Sequence, residues 1–344
     1  MLLRYLKSYI CNSVAELRFT TLSISLLVLF VLDLIIGSVY ISLKDVWGTL
    51  IGSEVDTATR LIVFDIRLMK AIVAVVAGVA LSVSGLQMQT LFRNPLAGPY
   101  VLGISSGASL GVAIFILGMP ILGITNNGII SSIGTAGAAW IGSALILVFI
   151  ASVSTRIKDI MVILILGMMF SSGVSAVVQI LQYMSNEEAL KSFVIWTMGS
   201  LGDVTYTQLK LLLPAVIIGL ILSILVIKPL NLLLLGEQYA RTMGLNVRKS
   251  RYLIFLSTTL LAGTVTAFCG PIGFVGLAIP HVSRMLFCNA DHRVLLPASA
   301  LCGAVILLLC DIISKCLTLP INTITALLGI PIVIWVVIRN KSIV

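Results

Sequence analysis

The sequence has few charged and few aromatic residues. Only 10% of its 344 residues are Asp, Glu, Lys or Arg, and 7% are aromatic, whereas a soluble domain is about 25% charged. This scarcity excludes a soluble enzyme, a disordered protein and a nucleic-acid-binding protein. Hydrophobic residues make up 59% of the chain and are mostly aliphatic. The sequence therefore predicts a protein that works inside a membrane or at its two faces.

Motifs for catalysis and for nucleotide binding are also missing. The chain contains no HExxH, no GxSxG and no GxxxxGK[ST] segment, so we expect it neither to hydrolyse a substrate nor to bind ATP phosphates itself. Its six cysteines form no CxxC pair, and we interpret them as small apolar residues. We predict no catalytic residue, no metal site and no cofactor.

Apolar stretches of membrane-spanning length recur along the chain. A hydrocarbon core about 30 Å thick needs about 20 helical residues per crossing. The stretches fall at about 22–40, 68–90, 99–119, 134–153, 160–184, 208–229, 252–270, 272–288, 294–313 and 321–338. Only Gly270-Pro271 separates the seventh from the eighth. The predicted fold class is an all-α polytopic membrane protein with about ten transmembrane helices, forming a single domain over residues 1–344.

The distribution of charge predicts an orientation. If the N-terminal segment 1–21 is cytoplasmic, most Lys and Arg residues fall in cytoplasmic segments and most acidic residues fall outside or near the outer ends of spans. This is the arrangement that the positive-inside rule favours. We therefore expect both termini to be cytoplasmic.

Few ionisable residues lie within the predicted spans. Asp33 lies near the middle of the first, and Asp311 lies close to the outer end of the ninth. Ion-driven carriers usually keep such residues in the membrane for coupling. Two acids without evident partners make a poor ion relay, although they do not exclude one.

The longest polar cytoplasmic segment is 235–251, LGEQYARTMGLNVRKSR. Gly236 and Gly244 lie eight positions apart, and Asn246 allows a further turn. This spacing predicts two short helices across the membrane face. The segment is either a solvated basic loop or a docking element for a cytoplasmic partner.

Six ordered motifs resemble those of one known family, the FecCD-type permease subunits of ATP-binding-cassette (ABC) importers for iron chelates (siderophores, haem) and cobalamin. The motifs are RNPLAGPYVLGISSGASLG (93–111), WTMGSLGDVTYTQL (196–209), LGEQYARTMG (235–244), GPIGFVGLAIPHVSR (270–284), DHRVLLPASALCGA (291–304) and LPINTITALLGIPIVIW (319–335). The resemblance implies a fold similar to the cobalamin permease. It also implies two paired permeases, two cytoplasmic ATPases and a periplasmic or lipoprotein substrate-binding protein.

The resemblance assigns roles to three groups of residues. LGEQYARTMG is similar to the family's coupling helices, which pass ATPase closure to the spans; the positions carried over are Gly236, Glu237, Ala240, Arg241 and Gly244. A second group would receive carboxylates of the binding protein at the outer mouth, namely Arg67, Lys70 and Lys315. A third group resembles the inner gate, namely Asn94, Pro95, Leu96, Ser154 and Thr155.

Some residues keep a simpler interpretation beside these roles. Arg67 and Lys70 are also typical of interfacial anchors, and the gate turns are also compatible with ordinary tight turns. His281 and Arg284 share a helix face after Pro280, which favours a buried, hydrogen-bonded histidine over a substrate ligand. The family's LPxG reads LPIN here, with Asn322 in place of Gly.

Together these features predict a permease of a bacterial inner membrane that imports an iron–siderophore-type chelate. Haem and cobalamin are the alternatives within the same class. An ion-coupled secondary transporter is the alternative from another class, and it would depend on an ion gradient and not on ATP.

Overall fold

The structure, a computed structural model, describes residues 2–37, 39, 41–52, 56–119, 128–157 and 159–339, and all regular secondary structure in these ranges is helical. The helices, in chain order, are α1 (Leu2–Ile35), α2 (Leu43–Ile51), α3 (Thr57–Leu91), α4 (Ile104–Gly118), α5 (Gly128–Arg156), α6 (Ile160–Met184), α7 (Glu187–Thr197), α8 (Tyr206–Leu225), α9 (Ile227–Leu234), α10 (Glu237–Thr242), α11 (Val247–Cys269), α12 (Val275–Phe287), α13 (His292–Leu317) and α14 (Ile321–Arg339).

The apolar helices confirm the predicted polytopic all-α fold. Within the described ranges, seven helices are long and apolar enough to cross a membrane: α1 from Ala15 onwards, α3, α5, α6, α8, α11 and α13. Three shorter apolar segments lie in α4, α12 and α14. Their sequence positions match the ten predicted stretches. The break after the seventh stretch is confirmed, because α11 ends at Cys269 and α12 begins at Val275.

Two predicted boundaries were wrong. The first apolar helix ends at Ile35 and not near residue 40, because the buried Arg67 guanidinium takes the carbonyl oxygens of Leu34 and Ile35. Segment 235–251 forms one separate short helix and not two. Asn246 caps the N-terminus of α11. The second half of the segment is therefore the first turn of this span and not a separate short helix.

Close backbone contacts hold α3 at the centre of the bundle. Every residue of α3 from Ala80 to Leu91 is buried. A Cβ atom built on Gly78 would lie 2.3 Å from the carbonyl oxygen of Gly303 in α13, and one on Gly85 would lie 1.7 Å from that of Gly276 in α12. Small residues permit this approach, which supplies the van der Waals packing that membrane helices depend on. The C-terminal half of α3 is therefore held firmly against α12 and α13.

Candidate functional site

The short helix α10 is set between two glycines with left-handed backbone conformations. Gly236 has a φ of +107° and Gly244 a φ of +82°, and most side chains would be strained at such angles. The sharp turns lay α10 beside the end of α11. The short helix thus packs against both α9 and α11.

Glu237 ties α10 to the membrane-spanning α11. Its Oε1 accepts a hydrogen bond from Arg241 at 2.5 Å, and its Oε2 accepts one from Arg251 at 2.5 Å. The Arg251 side chain is only 5% exposed, so this ion pair is screened from water on one side. Ala240 is fully buried and packs in a cluster with Ile254 and Phe255 of α11. A displacement of α10 must therefore move α11.

The other face of α10 is open and partly apolar. Tyr239 of α10 and Met243, the residue directly after this helix, are four residues apart and are 56% and 57% exposed. Arg241 beside them is also exposed. Large apolar side chains that stand out among charged ones mark protein interaction sites. The sequence analysis did not single out this pair.

At the opposite end of the bundle the structure places Arg67 in the interior. The Arg67 side chain is 4% exposed. Its Nη1 donates to the carbonyl oxygens of Leu34 at 2.8 Å and Ile35 at 2.6 Å, and Nη2 donates to that of Val39. A Cβ on Gly37 would collide with the guanidinium. Arg67 therefore caps the end of α1 from the interior, and its guanidinium is not presented at the surface.

Lys70 and Lys315 form a charge network with the two buried acids. Asp311 holds Lys70 through Oδ1 and Lys315 through Oδ2, each at 2.9 Å. Lys315 also reaches Asp33 Oδ1 at 2.8 Å. The interpretation of Asp33 and Asp311 as acids without partners was wrong, because the lysines lie 241 and four residues from Asp311 in the chain and local spacing shows only the nearer one. A cavity of about 410 Å³ opens beside Lys70, Lys315 and Asp311.

The turn Asn94–Leu96 follows α3 at the end that carries α10. The Asn94 side chain accepts a hydrogen bond from the Leu96 backbone N–H at 2.9 Å, and Leu96 is 43% exposed. His281 of α12 donates from Nε2 to the Pro95 carbonyl oxygen at 2.7 Å. The predicted buried, hydrogen-bonded His281 is thus confirmed. Ser154 lies in the last turn of α5, and the side chain of Thr155 lies outside the described part.

A second group of polar contacts at this end was not predicted. Asn231 of α9 donates from Nδ2 to Asp291 Oδ1 at 2.6 Å, and its Oδ1 accepts from the His292 backbone N–H. The backbone N–H of Arg293 and the Asn231 amide hold the pKa of Asp291 below its usual value. These bonds cap α13 and tie it to α9. The signal available in the sequence was Asp291, an ordinary helix N-cap residue.

A polar cluster joins three spans in the interior. Gln87 of α3 donates to Ser223 of α8 at 2.7 Å and to Ser257 of α11 at 3.1 Å. Thr258 donates to the Gln87 Oε1 at 3.0 Å. Polar side chains of this kind hold membrane helices together. The motion of α11 is therefore connected to α3 and α8.

Known proteins are similar to this chain over most of its length. The sequence profile described as the FecCD transport family matches residues 25–339. The hemin transport system permease protein HmuU of Yersinia pestis is 37% identical over 315 residues, which cover 89% of this chain and 90% of HmuU. The vitamin B12 import system permease protein BtuC of Vibrio cholerae is 33% identical over 319 residues, covering 91% of each chain.

A molybdate permease and a solved transporter structure are also similar to this chain. The molybdate import system permease protein MolB of Haemophilus influenzae is 36% identical over 323 residues, covering 90% of this chain and 92% of MolB. A solved structure, an inward-facing conformation of a metal-chelate type ABC transporter, superposes with a TM-score of 0.80 at 32% identity. It covers 94% of this chain and 99% of that chain.

Proposed function

The chain belongs to the FecCD transport family of ABC importer permeases, and from this premise we propose that it carries an iron–siderophore-type chelate across the inner membrane of a bacterium. The chelate class accords with the metal-chelate type transporter that shares the fold at 32% identity. Haem and cobalamin are the alternative substrates, since HmuU and BtuC are named for them at similar identity.

The observation that carries the mechanism is the construction of α10. Its exposed Tyr239 and Met243 offer a docking surface, while Glu237 and Ala240 fasten the same helix to α11. We infer that a cytoplasmic ATPase binds this surface, and that its closure on ATP moves α11 through the Glu237–Arg251 pair. Gly236 and Gly244 set the angle at which α10 meets the ATPase, and Arg241 lies at the edge of the contact. The permease itself binds no nucleotide in this scheme.

The pathway is proposed to lie between two copies of the chain, with α6 lining it. This helix has exposed polar residues among apolar ones, including Ser172, Ser175 and Gln179. Polar residues in spans usually face a cavity or another helix and avoid lipid. In the same scheme the Asn94–Leu96 turn and residues 154–155 close the cytoplasmic end of the pathway. His281 would hold the Pro95 turn against α12 while the gate is shut.

The proposed assembly contains two permeases, two ATPases and one substrate-binding protein, with both termini and segment 235–251 in the cytoplasm. Lys70 and Lys315 are proposed to receive the binding protein at the outer mouth, with Arg67 supporting that surface from within. The charge network favours this over ion-coupled transport. Both span acids, Asp33 and Asp311, already hold lysines, so neither is free to carry a coupling ion.

The substrate can be tested by uptake into cells that lack their own chelate permeases and express this permease with the ATPase and the substrate-binding protein that assemble with it. We expect uptake of a ⁵⁵Fe-labelled ferric siderophore and at least tenfold less uptake of haem and cobalamin. The expression of the chain with Glu237→Arg serves as the control for background uptake. Uptake of haem or cobalamin alone would replace the proposed substrate and leave the transporter class unchanged.

A further inference from the structure

The charges around the outer-mouth cavity cancel one another. Lys70 and Lys315 face Asp311 and Asp33, so two cations meet two anions. Arg67 nearby is already satisfied by backbone carbonyls. A carboxylate arriving from outside would therefore find no excess positive charge to bind. If these lysines receive a partner's carboxylate, as the proposed function requires, an internal acid must give way.

The two lysines differ in their number of partners and in their exposure. Lys315 is 9% exposed and holds Asp33 Oδ1, the Asp33 carbonyl oxygen and Asp311. Lys70 is 20% exposed and its ion pair is with Asp311 alone among the pairs of the described residues. If Lys70 changed partner, Asp311 would keep its ion pair with Lys315, which the two acids would then share. Lys70 is thus the lysine that can change partner more easily, because it is more exposed and has fewer contacts to give up.

Asp311 occupies the position that an incoming carboxylate would need. It lies fully buried at the floor of the cavity, and its two oxygens each contact a different lysine. The cavity of about 410 Å³ is half polar in character, and Ser200 and Ser314 line it beside the lysines. It has room for an acidic side chain next to Lys70.

We propose that Asp311 is an internal substitute for a carboxylate of the substrate-binding protein, and that docking transfers Lys70 from Asp311 to the partner's acidic side chain. This inference rests on the proposed function. Because Lys70 lies on α3 and Asp311 on α13, the exchange also breaks an ion pair between two central spans. Docking would thereby loosen the outer end of the bundle only when the binding protein is present.

The proposal predicts an effect opposite in sign to that of a docking residue. Asp311→Asn should tighten binding of the partner substrate-binding protein at least tenfold at low salt, because the asparagine side chain no longer neutralises Lys70. The control is Asp203→Asn, which removes an exposed carboxylate from the segment that borders the cavity; it should change affinity less than threefold. In a Lys70→Gln background the gain from Asp311→Asn should also fall below threefold.

Binding is measured with the full-length permease in lipid nanodiscs. If the wild-type chain binds no such protein, both the proposed function and this inference fail. If the wild type binds but Asp311→Asn binds equally or more weakly, the inference alone fails. A second measurement needs no variant: carbodiimide cross-linking of the wild-type complex should join Lys70 to an acidic residue of the binding protein. Cross-links that involve other lysines but not Lys70 would overturn the exchange.

Discussion

At the scale of single residues, Tyr239 and Met243 carry the contact proposed for the ATPase. Replacing both with alanine should weaken ATPase association at least tenfold, about 1.4 kcal/mol, because large side chains at the centre of an interface supply most of its binding energy. Both side chains are more than half exposed, so thermal stability should stay unchanged. The measurement is ATPase affinity for the permease in nanodiscs.

The control for this pair lies on the same helix. Gln238 is exposed and polar, and Gln238→Ala should change ATPase affinity less than threefold. An ATPase that binds the Tyr239→Ala, Met243→Ala chain as tightly as the wild type would remove α10 from the docking surface.

At the scale of helices, the contact between α3 and α12 depends on the absence of a side chain. Gly85→Ala would place a methyl group 1.7 Å from the Gly276 carbonyl oxygen, so the two helices must separate. We expect a loss of thermal stability on the order of 2 kcal/mol, the size of an overpacked core substitution, measured by heating the purified permease in detergent.

Gly137 of α5 provides the matched substitution. A Cβ at Gly137 meets nothing within 4 Å, and alanine favours helix over glycine by about 1 kcal/mol. Gly137→Ala should therefore leave stability equal or slightly higher. Equal effects of the two substitutions would mean that the close contact of α3 with α12 does not contribute to stability.

The helices were largely predictable and the contacts between them were not. Hydropathy alone located the apolar segments, because a membrane span is recognised from the apolar residues within it. The break at Gly270-Pro271 was visible for the same reason. In contrast, Arg67 is buried against carbonyls 28 to 33 residues earlier in the chain, and Lys70 pairs with Asp311. Such contacts depend on how the helices pack, and no local spacing reveals them.

In the candidate sites too, local features were predictable and contacts between helices were not. Gly236 and Gly244 were recognisable as turns, and both have positive φ. The Glu237–Arg251 pair crosses 14 residues and a change of direction, so the sequence showed two charged residues without their connection. The sequence therefore located the segment proposed for coupling but not the contacts that fasten it to α11.

At the scale of the whole molecule, the proposed orientation can be read from two exposed positions. In a chain without native cysteines, Thr242→Cys on α10 should be protected from an impermeant thiol reagent added to intact cells. Glu188→Cys on α7 should react with it. Both side chains are exposed in the structure, so burial does not limit either reaction, and labelling is detected by a mass shift of the purified permease. Labelling at Thr242→Cys alone would reverse the orientation and both site assignments.

The central claim is that ATP hydrolysis by a partner drives this permease through α10. The most direct measurement is chelate uptake into proteoliposomes that hold the permease and its ATPase, with the binding protein outside and no ion gradient. The account predicts uptake when ATP is enclosed on the ATPase side, none with a non-hydrolysable analogue, and at least a tenfold loss with Glu237→Arg, which sets a third guanidinium against Arg241 and Arg251. Uptake that needs an ion gradient and ignores ATP would contradict it.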